Sequence, residues 1–439
     1  MHTLEQLCAG QLRGIQRLKL ACGLRAFPAE IFDLADSLEI LDLSGNHLSA
    51  LPDALPLLGK LRVLFCSDNQ FSELPEVLGR CPKLSMVGFK ANHIRQVPAR
   101  ALPPQLRWLI LTDNLIEQLP AEIGRCEPLQ KLMLAGNRLR ELPLSLANCS
   151  RLELLRISAN CLNELPDWLL AMPRLAWLAY AGNSFSAERE AAALNDAPVS
   201  LIGWPQLQIR QQLGEGASGV IYRAEYDAGD LSRAVAVKLF KGVLTSDGLP
   251  HCEMASCLAA GHHPNLIPVE GQVKDHPAGA SGLVMSLIGP EFGNLAGPPS
   301  LASCTRDVYA AGQRFELDTV LAIVRGIAAA AAHLHRRGIL HGDLYGHNIL
   351  HCGRGRALLG DFGAASVFAP DDARATALQR LEVRAFGCLL EELLALCLPP
   401  ARSRHRLDRL AALQAACLDE RVASRPLFDE IELTLSALA

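Results

Sequence analysis

The sequence lacks the features that would place it in several broad protein classes. Of its 439 residues 20% are charged and the formal net charge is −4, so neither a disordered chain nor a broad nucleic-acid-binding surface is expected. No uninterrupted apolar run reaches the ~18 residues of a membrane span, and residues 1–18 lack the basic start and apolar core of a secretory signal. The fourteen cysteines form no CxxC pair and no zinc spacing, which favours a reduced, cytoplasmic protein. We expect protein and nucleotide partners, no nucleic acid and no membrane span.

Asparagine recurs through the N-terminal half at a nearly constant interval. The spacing is 22 or 23 residues, and the members are Asn46, Asn69, Asn92, Asn114, Asn137, Asn160 and Asn183. Leucines precede each Asn in the pattern L-x-x-L-x-L or a close apolar variant, and a Leu-Pro step usually follows. This pattern is that of the leucine-rich repeat, in which the Asn bonds backbone groups along the solenoid. We predict about eight repeats of 22–23 residues over 1–186, with an irregular first unit.

One column of the predicted concave sheet is mostly apolar. It lies just before the second leucine of each repeat and reads Ile40, Val63, Met86, Trp108, Lys131, Leu154 and Trp177. Side chains in this column are expected to point to solvent, and an exposed apolar stripe with aromatic residues is typical of a protein-binding surface. Two interpretations stay open. The stripe binds a protein partner or substrate, or it packs on the second domain of the same chain.

The C-terminal half contains two motifs suited to metal binding and proton transfer. In the segment 341–350, His-Gly-Asp-Leu-Tyr-Gly-His-Asn-Ile-Leu, the carboxylate of Asp343 is followed five residues later by Asn348. Asp361 comes thirteen residues after that Asn, in Asp361-Phe362-Gly363. One carboxylate can take a hydroxyl proton, while Asn348 and Asp361 can hold a metal against nucleotide phosphates.

Two more motifs precede these in the chain. Residues 213–222 contain G-x-G-x-x-G-x-V with Ile221 in the last place, and glycine allows backbone amides to approach phosphates. Val235-Ala236-Val237-Lys238 is an alternating strand that ends in Lys, and Glu253 follows fifteen residues later. A glycine spacing alone is a weak signal, so the order of all four motifs decides the interpretation.

Together these motifs resemble the protein kinase family. The resemblance extends over 204–439 and includes Ala385-Phe386-Gly387 after Glu382, and Arg425-Pro426 near the end. It implies a domain with an N-lobe at about 204–288 and a C-lobe at about 289–439, after a connector at 187–203. The predicted fold class is an α/β leucine-rich-repeat solenoid followed by a bilobal α+β protein kinase-like domain.

The resemblance also implies a role for each site residue. Asp343 is the expected catalytic base, Lys238 with Glu253 holds the α and β phosphates, and Asn348 with Asp361 binds Mg²⁺, with Mn²⁺ as an alternative. ATP is expected in a pocket formed by Leu213, Gly214, Gly216, Gly219, Ile221, Ala236, Lys238, Met285, Leu287 and Leu350. Residues 289–315 are expected to form a loop and receive no chemical role.

Several positions depart from the kinase pattern. Gly342 replaces the arginine of the H-R-D motif, so control by phosphorylation of the activation loop is not expected. Tyr345 replaces the usual catalytic lysine, and His347, with an unperturbed pKa of ~6.5, is the candidate that partly replaces its charge. Glu382 follows Gly363 by only 19 residues with no A-P-E motif between them, so the peptide-docking platform is short or missing. Arg425 would then lack its usual glutamate partner.

Three functions stay open on this reading. The first is a cytoplasmic protein kinase directed at Ser or Thr, whose repeats recruit a protein partner or restrain the kinase. The missing lysine and the short segment also allow an ATP-binding pseudokinase that acts as a scaffold. His-Gly-Asp-Leu with a later Asn is shared with small-molecule phosphotransferases, which form the third class.

Overall fold

The computed structural model describes residues 2–196, 200–216, 218–227, 229, 232–242, 244–353, 355–398 and 404–438. The chain forms two compact units, Met1–Arg174 and Leu175–Ala439. The domain boundaries that the sequence predicts at 186 and 203 stay predictions. Residues 197–199 of the predicted connector and Ala217 of the glycine-rich motif lie outside the described residues.

The first unit is a parallel-sheet solenoid. Each L-x-L step forms a three-residue strand that pairs in parallel with the strand of the next repeat. Short 3-10 turns connect the strands. The turns at Glu76, Ala121 and Leu144 begin just after Leu-Pro steps, where the fixed φ of proline favours a helical start. The helices and strands are α1 (Leu4–Cys8), β1 (Arg17–Lys19), β2 (Ile40–Asp42), β3 (Val63–Phe65), β4 (Met86–Gly88), β5 (Trp108–Ile110), β6 (Lys131–Met133), β7 (Leu154–Arg156) and α2 (Asp167–Leu170). The 3-10 turns are Ala29–Leu34, Leu55–Leu57, Glu76–Arg80, Ala99–Ala101, Ala121–Arg125 and Leu144–Asn148.

The repeated asparagines form the hydrogen-bonded ladder that the sequence predicts. Asn137 is typical: its amide donates to Leu111 O at 2.9 Å and to Leu134 O at 2.9 Å, and its oxygen accepts from Ile116 N at 3.1 Å. Each Asn therefore satisfies backbone groups of its own turn and of the preceding repeat, groups that would be costly to bury unpaired.

The apolar column on the strands is less exposed than the sequence predicts. Val63, Met86 and Leu154 are only 2–4% exposed, and Ile40 and Trp108 are half-buried. The register places column members of adjacent strands directly beside one another, at the close spacing of paired strands. In addition, the Lys131 ammonium lies 4.4 Å from the centre of the Trp108 ring. The prediction that the whole column is exposed to solvent is therefore wrong for Val63, Met86 and Leu154.

The second unit begins with a short strand and a helix, followed by a six-stranded sheet. Its elements in this region are β8 (Trp177–Ala179), α3 (Ala187–Asp196), β9 (Leu201–Gly203), β10 (Leu207–Glu215), β11 (Gly219–Asp227), β12 (Ser232–Phe240), α4 (Pro250–Ala260), β13 (Val269–Lys274) and β14 (Gly282–Ser286). The strands are ordered β10-β11-β12-β14-β13-β9. Alternating Val235 and Val237 on β12 pack with Val284 and Ile202 in a buried core, which fixes the face on which Lys238 projects.

The remainder of the second unit is mainly helical. It contains β15 (Phe292–Asn294), α5 (Leu317–Arg336), β16 (Ile339–Leu340), β17 (Ile349–Cys352), β18 (Ala357–Leu359), β19 (Ser366–Val367), α6 (Ala375–Ala395), α7 (Arg404–Cys417) and α8 (Phe428–Ser436). Helix α5 is long and apolar enough to cross a membrane, but 61% of its most apolar window is buried, which is usual for the core helix of a soluble protein. One such helix is weak support for a membrane span.

Candidate active site

Lys238 at the end of β12 is the centre of a buried charge cluster. Its ammonium pairs with Glu253 of α4 and lies 3.9 Å from Asp361 Oδ1. Burial by itself lowers the pKa of Lys238, but the carboxylates of Glu253 and Asp361 outweigh burial and raise it, so the cation is retained. The lysine thus stays charged in a position from which it can hold phosphate oxygens.

The segment between β16 and β17, here called the catalytic loop (341–348), holds Asp343 beside Asn348. The Asn348 amide donates to Asp343 Oδ2 at 2.8 Å and to Asp343 O at 2.9 Å. His341 Nε2–H donates to Gly360 O at 2.9 Å, and the Gly360 N–H donates to Asn348 O at 3.0 Å. These bonds tie the loop to the residue just before Asp361, so the three candidate chemical groups lie on one connected framework.

Glu382 of α6 anchors the start of the catalytic loop through hydrogen bonds. Its Oε1 accepts the Gly342 N–H at 2.7 Å, and its Oε2 accepts the His341 N–H at 3.3 Å and His335 Nε2–H at 2.8 Å. Burial by itself raises the pKa of Glu382, but these donors and the two histidines lower it below its ordinary value. The Glu that stands in place of the usual Asp therefore still anchors the loop as an ionised carboxylate.

His347 is held by a residue that sequence reasoning missed. Asp307 accepts His347 Nδ1–H at 2.7 Å and the His347 backbone N–H at 3.0 Å. Burial by itself lowers the pKa of His347, but the hydrogen bond and charge of Asp307 outweigh burial and raise it. The segment 289–315, to which the sequence assigned no chemistry, thus contains a residue that positions the catalytic loop. Nothing in its Gly- and Pro-rich composition marked Asp307.

Gly342 cannot be exchanged for a side-chain-bearing residue without strain. Its φ is +71°, and a Cβ there would lie 2.5 Å from Ala364 O and 2.7 Å from Leu178 O. The backbone of the last predicted repeat unit therefore fills the space beside the position at which the kinase pattern has arginine.

The segment after Asp361-Phe362-Gly363 is short, as the sequence predicts. Phe362 packs on His341 with ring centres 5.1 Å apart, and β19 pairs with β16. Only residues 368–374 separate β19 from α6. Arg425, expected to lack a glutamate, donates to Asp419 O at 2.9 Å and to Arg380 O at 3.1 Å. Burial and the charge of Arg384 lower the pKa of this Arg to about 10.

A cavity adjoins the charge cluster. It is lined by Gly216, Ser218, Gly219, Ile221, Lys238, Glu253, Cys257, Leu283, Met285, Gly360, Asp361 and Phe362, among others. Five of the predicted nucleotide-pocket residues line it, namely Gly216, Gly219, Ile221, Lys238 and Met285, whereas Leu213, Gly214, Ala236, Leu287 and Leu350 do not. A Cβ at Gly219 would lie 2.5 Å from Leu239 O, so the hairpin needs glycine at this point.

Comparison with known proteins agrees with this geometry. Residues 207–386 match the family model of protein tyrosine and serine/threonine kinases, and residues 37–58 match that of the Leucine Rich Repeat. The chain contains a protein kinase domain. The predicted fold class, a leucine-rich-repeat solenoid followed by a kinase domain, is confirmed.

Relatives of the kinase domain include serine/threonine kinases. A probable serine/threonine-protein kinase of Arabidopsis thaliana is 29% identical over 26% of this chain and 18% of its own length. Cyclin-dependent kinase C-2 C of the same plant is 24% identical over 44% of this chain and 30% of its own length. Aurora/IPL1-related protein kinase 2 of Caenorhabditis elegans is 29% identical over 38% of this chain and 51% of its own length. The chain thus spans between about a fifth and a half of the length of these relatives.

The kinase family implies ATP and a divalent metal. Within the described ranges, no group of three His, Cys, Asp or Glu side chains could hold a metal alone. The donor set still fits a metal that shares its ligands with phosphates. Asn348 uses its amide hydrogens on Asp343, which leaves Oδ1 as the ligand atom, and the Asp361 side chain is 54% exposed. Mg²⁺ usually takes one or two carboxylates with substrate phosphates and water.

Proposed function

We propose that this protein is an ATP-dependent protein kinase that phosphorylates Ser or Thr hydroxyls of a protein substrate. The observation that carries the proposal is the paired Lys238–Glu253 cluster within 3.9 Å of Asp361, together with Asn348 bonded to Asp343. Phosphate-holding, metal-binding and proton-accepting groups are the parts that phosphoryl transfer needs from a protein, and this cluster contains each kind. The serine/threonine relatives support the choice of acceptor.

Each residue then has a defined task. Lys238, oriented by Glu253, binds the α and β phosphates, and Asn348 with Asp361 would hold Mg²⁺, or Mn²⁺ in its place. When bound, the metal would supply positive charge that neutralises the phosphates. Asp343 accepts the proton of the acceptor hydroxyl as that oxygen bonds to the γ phosphorus and the bond to the β–γ bridging oxygen breaks. The products are the phosphorylated acceptor and ADP.

The catalytic loop is proposed to work without the arginine and lysine of the family pattern. Gly342 removes the group that a phosphorylated activation loop would engage, and Tyr345 removes the cation near the transferred phosphate. His347 donates its Nδ1–H to Asp307 at 2.7 Å, so in the protonated imidazolium, which Asp307 favours by raising the pKa of His347, the Nε2–H can donate to the phosphate. We assign His347 the partial role of the missing lysine.

Substitution of His347 tests this role. We expect His347→Ala to slow phosphate transfer by about tenfold or more with unchanged ATP affinity, because the lost interaction forms mainly in the transition state. His347→Arg should restore much of the rate, and the exposed His262→Ala is the matched control. A His347→Ala protein that transfers phosphate at the native rate would remove His347 from the mechanism.

The repeats are proposed to bind a protein partner or substrate. Leucine-rich repeats commonly serve protein interaction, and the half-buried Ile40 and Trp108 are the members of the apolar column that a partner could still reach. A Trp108→Asp protein should lose such a partner in pull-downs while it still unfolds in one cooperative transition.

The fourteen free thiols support our assignment to the reducing cytoplasm.

Phosphoamino-acid analysis tests the proposed acceptor. The full chain is incubated with γ-labelled ATP, Mg²⁺ and a panel of generic protein acceptors, and the labelled products are hydrolysed. Label on phosphoserine or phosphothreonine is expected. Label confined to phosphotyrosine, or to small molecules, would contradict the proposed substrate class.

A further inference from the structure

The stretch 175–196, here called the junction segment, folds with the kinase domain. It comprises the last predicted repeat strand, β8, and helix α3, and both belong to the same compact unit as the catalytic motifs. Its two ends contact two different parts of the site. The sequence treated this stretch as the end of the repeat array and a connector, and assigned it no chemistry.

The first end contacts the catalytic loop and the strand after Asp361. Trp177 is 1% exposed, stacks on Tyr345 with ring centres 4.2 Å apart, and donates its indole N–H to Leu344 O at 3.1 Å. Tyr180 donates its backbone N–H to Ser366 Oγ at 3.0 Å and its hydroxyl to Val367 O at 3.2 Å. The residue expected to face a partner is therefore used inside the kinase unit, which is the packing alternative of the sequence analysis.

The second end contacts the helix that carries Glu253. Helix α3 packs along α4. Glu190 of α3, only 8% exposed, accepts the Gly182 N–H at 2.9 Å through Oε1, and its Oε2 accepts the Cys252 thiol at 3.3 Å. Cys252 is the residue before Glu253, and both are 2% exposed. A shift of α4 that separated Glu253 from Lys238 would have to break this buried contact.

These contacts occur in a chain that departs from two features by which the kinase pattern orders its site. Gly342 leaves no arginine for a phosphorylated loop, and only residues 368–374 lie between β19 and α6. A site of this kind needs its Lys–Glu pair and its metal-binding residues in place before transfer. The junction segment supplies contacts to both.

We propose that the junction segment is a built-in positioning element of the kinase. Glu190 holds Glu253 in contact with Lys238. Trp177 and Tyr180 hold the catalytic loop and β19 in their positions. This inference rests on the proposed function. Its consequence is a kinase that is ordered by its own N-terminal extension rather than by a separate activating event.

The Glu190 contact is tested by nucleotide binding to the full-length protein. Glu190→Ala should weaken Mg²⁺–ATP binding by about tenfold, a typical size for coupling between distinct groups, and leave adenosine binding unchanged, because Lys238 acts only on phosphates. Glu188→Ala, exposed on the same helix, is the matched control. Glu190→Gln retains the acceptor for Gly182 but places an NH2 group against the Cys252 thiol, so its ATP affinity should lie between those of the native protein and Glu190→Ala. Cys252→Ala, which leaves α3 intact, is the second variant if Glu190→Ala fails to fold.

A double-variant cycle separates positioning from general stability. If Glu190 acts through Glu253, the protein with both Glu190→Ala and Glu253→Gln should bind ATP no more weakly than Glu253→Gln alone. Additive losses would overturn the inference. So would equal losses of ATP and adenosine affinity, or an unchanged ATP affinity in Glu190→Ala.

The Trp177 contact is tested by the rate of transfer. Trp177→Phe keeps a ring on Tyr345 but removes the donor to Leu344 O, so kcat should fall several-fold with little change in KM for ATP. Trp168→Phe is the control. If kcat is native, Trp177 does not position the loop. If the native protein transfers no phosphate, the proposed function fails, while the ATP and adenosine measurements still decide whether Glu190 positions Glu253.

Discussion

Gly342 both removes the arginine of the kinase pattern and allows a backbone conformation that other residues rarely adopt. As a sequence feature it is a missing arginine, whereas in the structure it is a backbone position with φ of +71° and carbonyls close on two sides. Gly342→Ala should lower the free energy of unfolding by at least about 2 kcal/mol, from left-handed strain plus the contacts with Ala364 O and Leu178 O. Urea unfolding measures the loss. Gly293→Ala, with open space around it, is the control, and equal stabilities for both variants would contradict the account.

Glu382 should make stability depend on acid in a defined direction. Its pKa is lowered in the folded protein, so its contribution is fully present above the unfolded value of ~4.3 and is lost as pH falls through the lower folded pKa. The melting temperatures of the native and Glu382→Gln proteins should therefore differ most near neutral pH, and the difference should shrink progressively as pH falls below ~4.3. A difference that stayed constant from pH 7 to pH 3.5 would exclude ionised Glu382 as the loop anchor.

At the residue scale, the sequence could predict the groups whose function follows from residue type and spacing. Lys238, Glu253, Asp343, Asn348 and Asp361 follow from residue type and spacing, and the structure brings the first two into contact and bonds Asn348 to Asp343. It could not predict Asp307 or Glu190, because a buried carboxylate that positions a neighbour has no local pattern. Its partner is known only when the chain has folded.

The repeat strands and turns are the elements for which sequence periodicity was most informative. The asparagine spacing predicts the ladder, and it also predicts the effect of removing one member. Asn137→Ala should lower the free energy of unfolding by about 2 kcal/mol, because it leaves the buried Ile116 N without its partner. Leu111 O and Leu134 O each lose one of two bonds and keep the other, from Asn114 and Asn160. The exposed Asn148→Ala should have little effect in the same denaturation experiment. Equal losses would refute the ladder as the source of stability.

The exposure of the apolar column could not be predicted with the same success. Periodicity states on which face of a strand a side chain lies, but not how completely neighbouring side chains cover it. Val63 and Met86 sit opposite each other in the register and are nearly inaccessible. Helix α3 is a similar case, because the sequence predicts a connector over 187–203 and does not indicate that it packs on α4.

At the scale of the whole molecule, the order of motifs predicted a solenoid followed by a kinase domain, and both parts are present. Motif order could not show that the stretch 175–196 belongs to the kinase unit. Strand β8 retains the leucine-rich pattern, yet its Trp177 stacks on the catalytic loop. The leucine-rich pattern thus occurs both in the strands of the solenoid and in a strand that packs on the catalytic loop.

Phosphate transfer from γ-labelled ATP with Mg²⁺, compared between the native full chain and Asp343→Asn, tests the central claim most directly. The account predicts labelled protein from the native chain and a fall of at least about 100-fold in the variant, the usual contribution of a positioned base, with ATP affinity retained because Lys238, Asn348 and Asp361 are untouched. Equal labelling by both proteins would show that Asp343 is not the base. Tight ATP binding by the native chain without any transfer would contradict a working kinase.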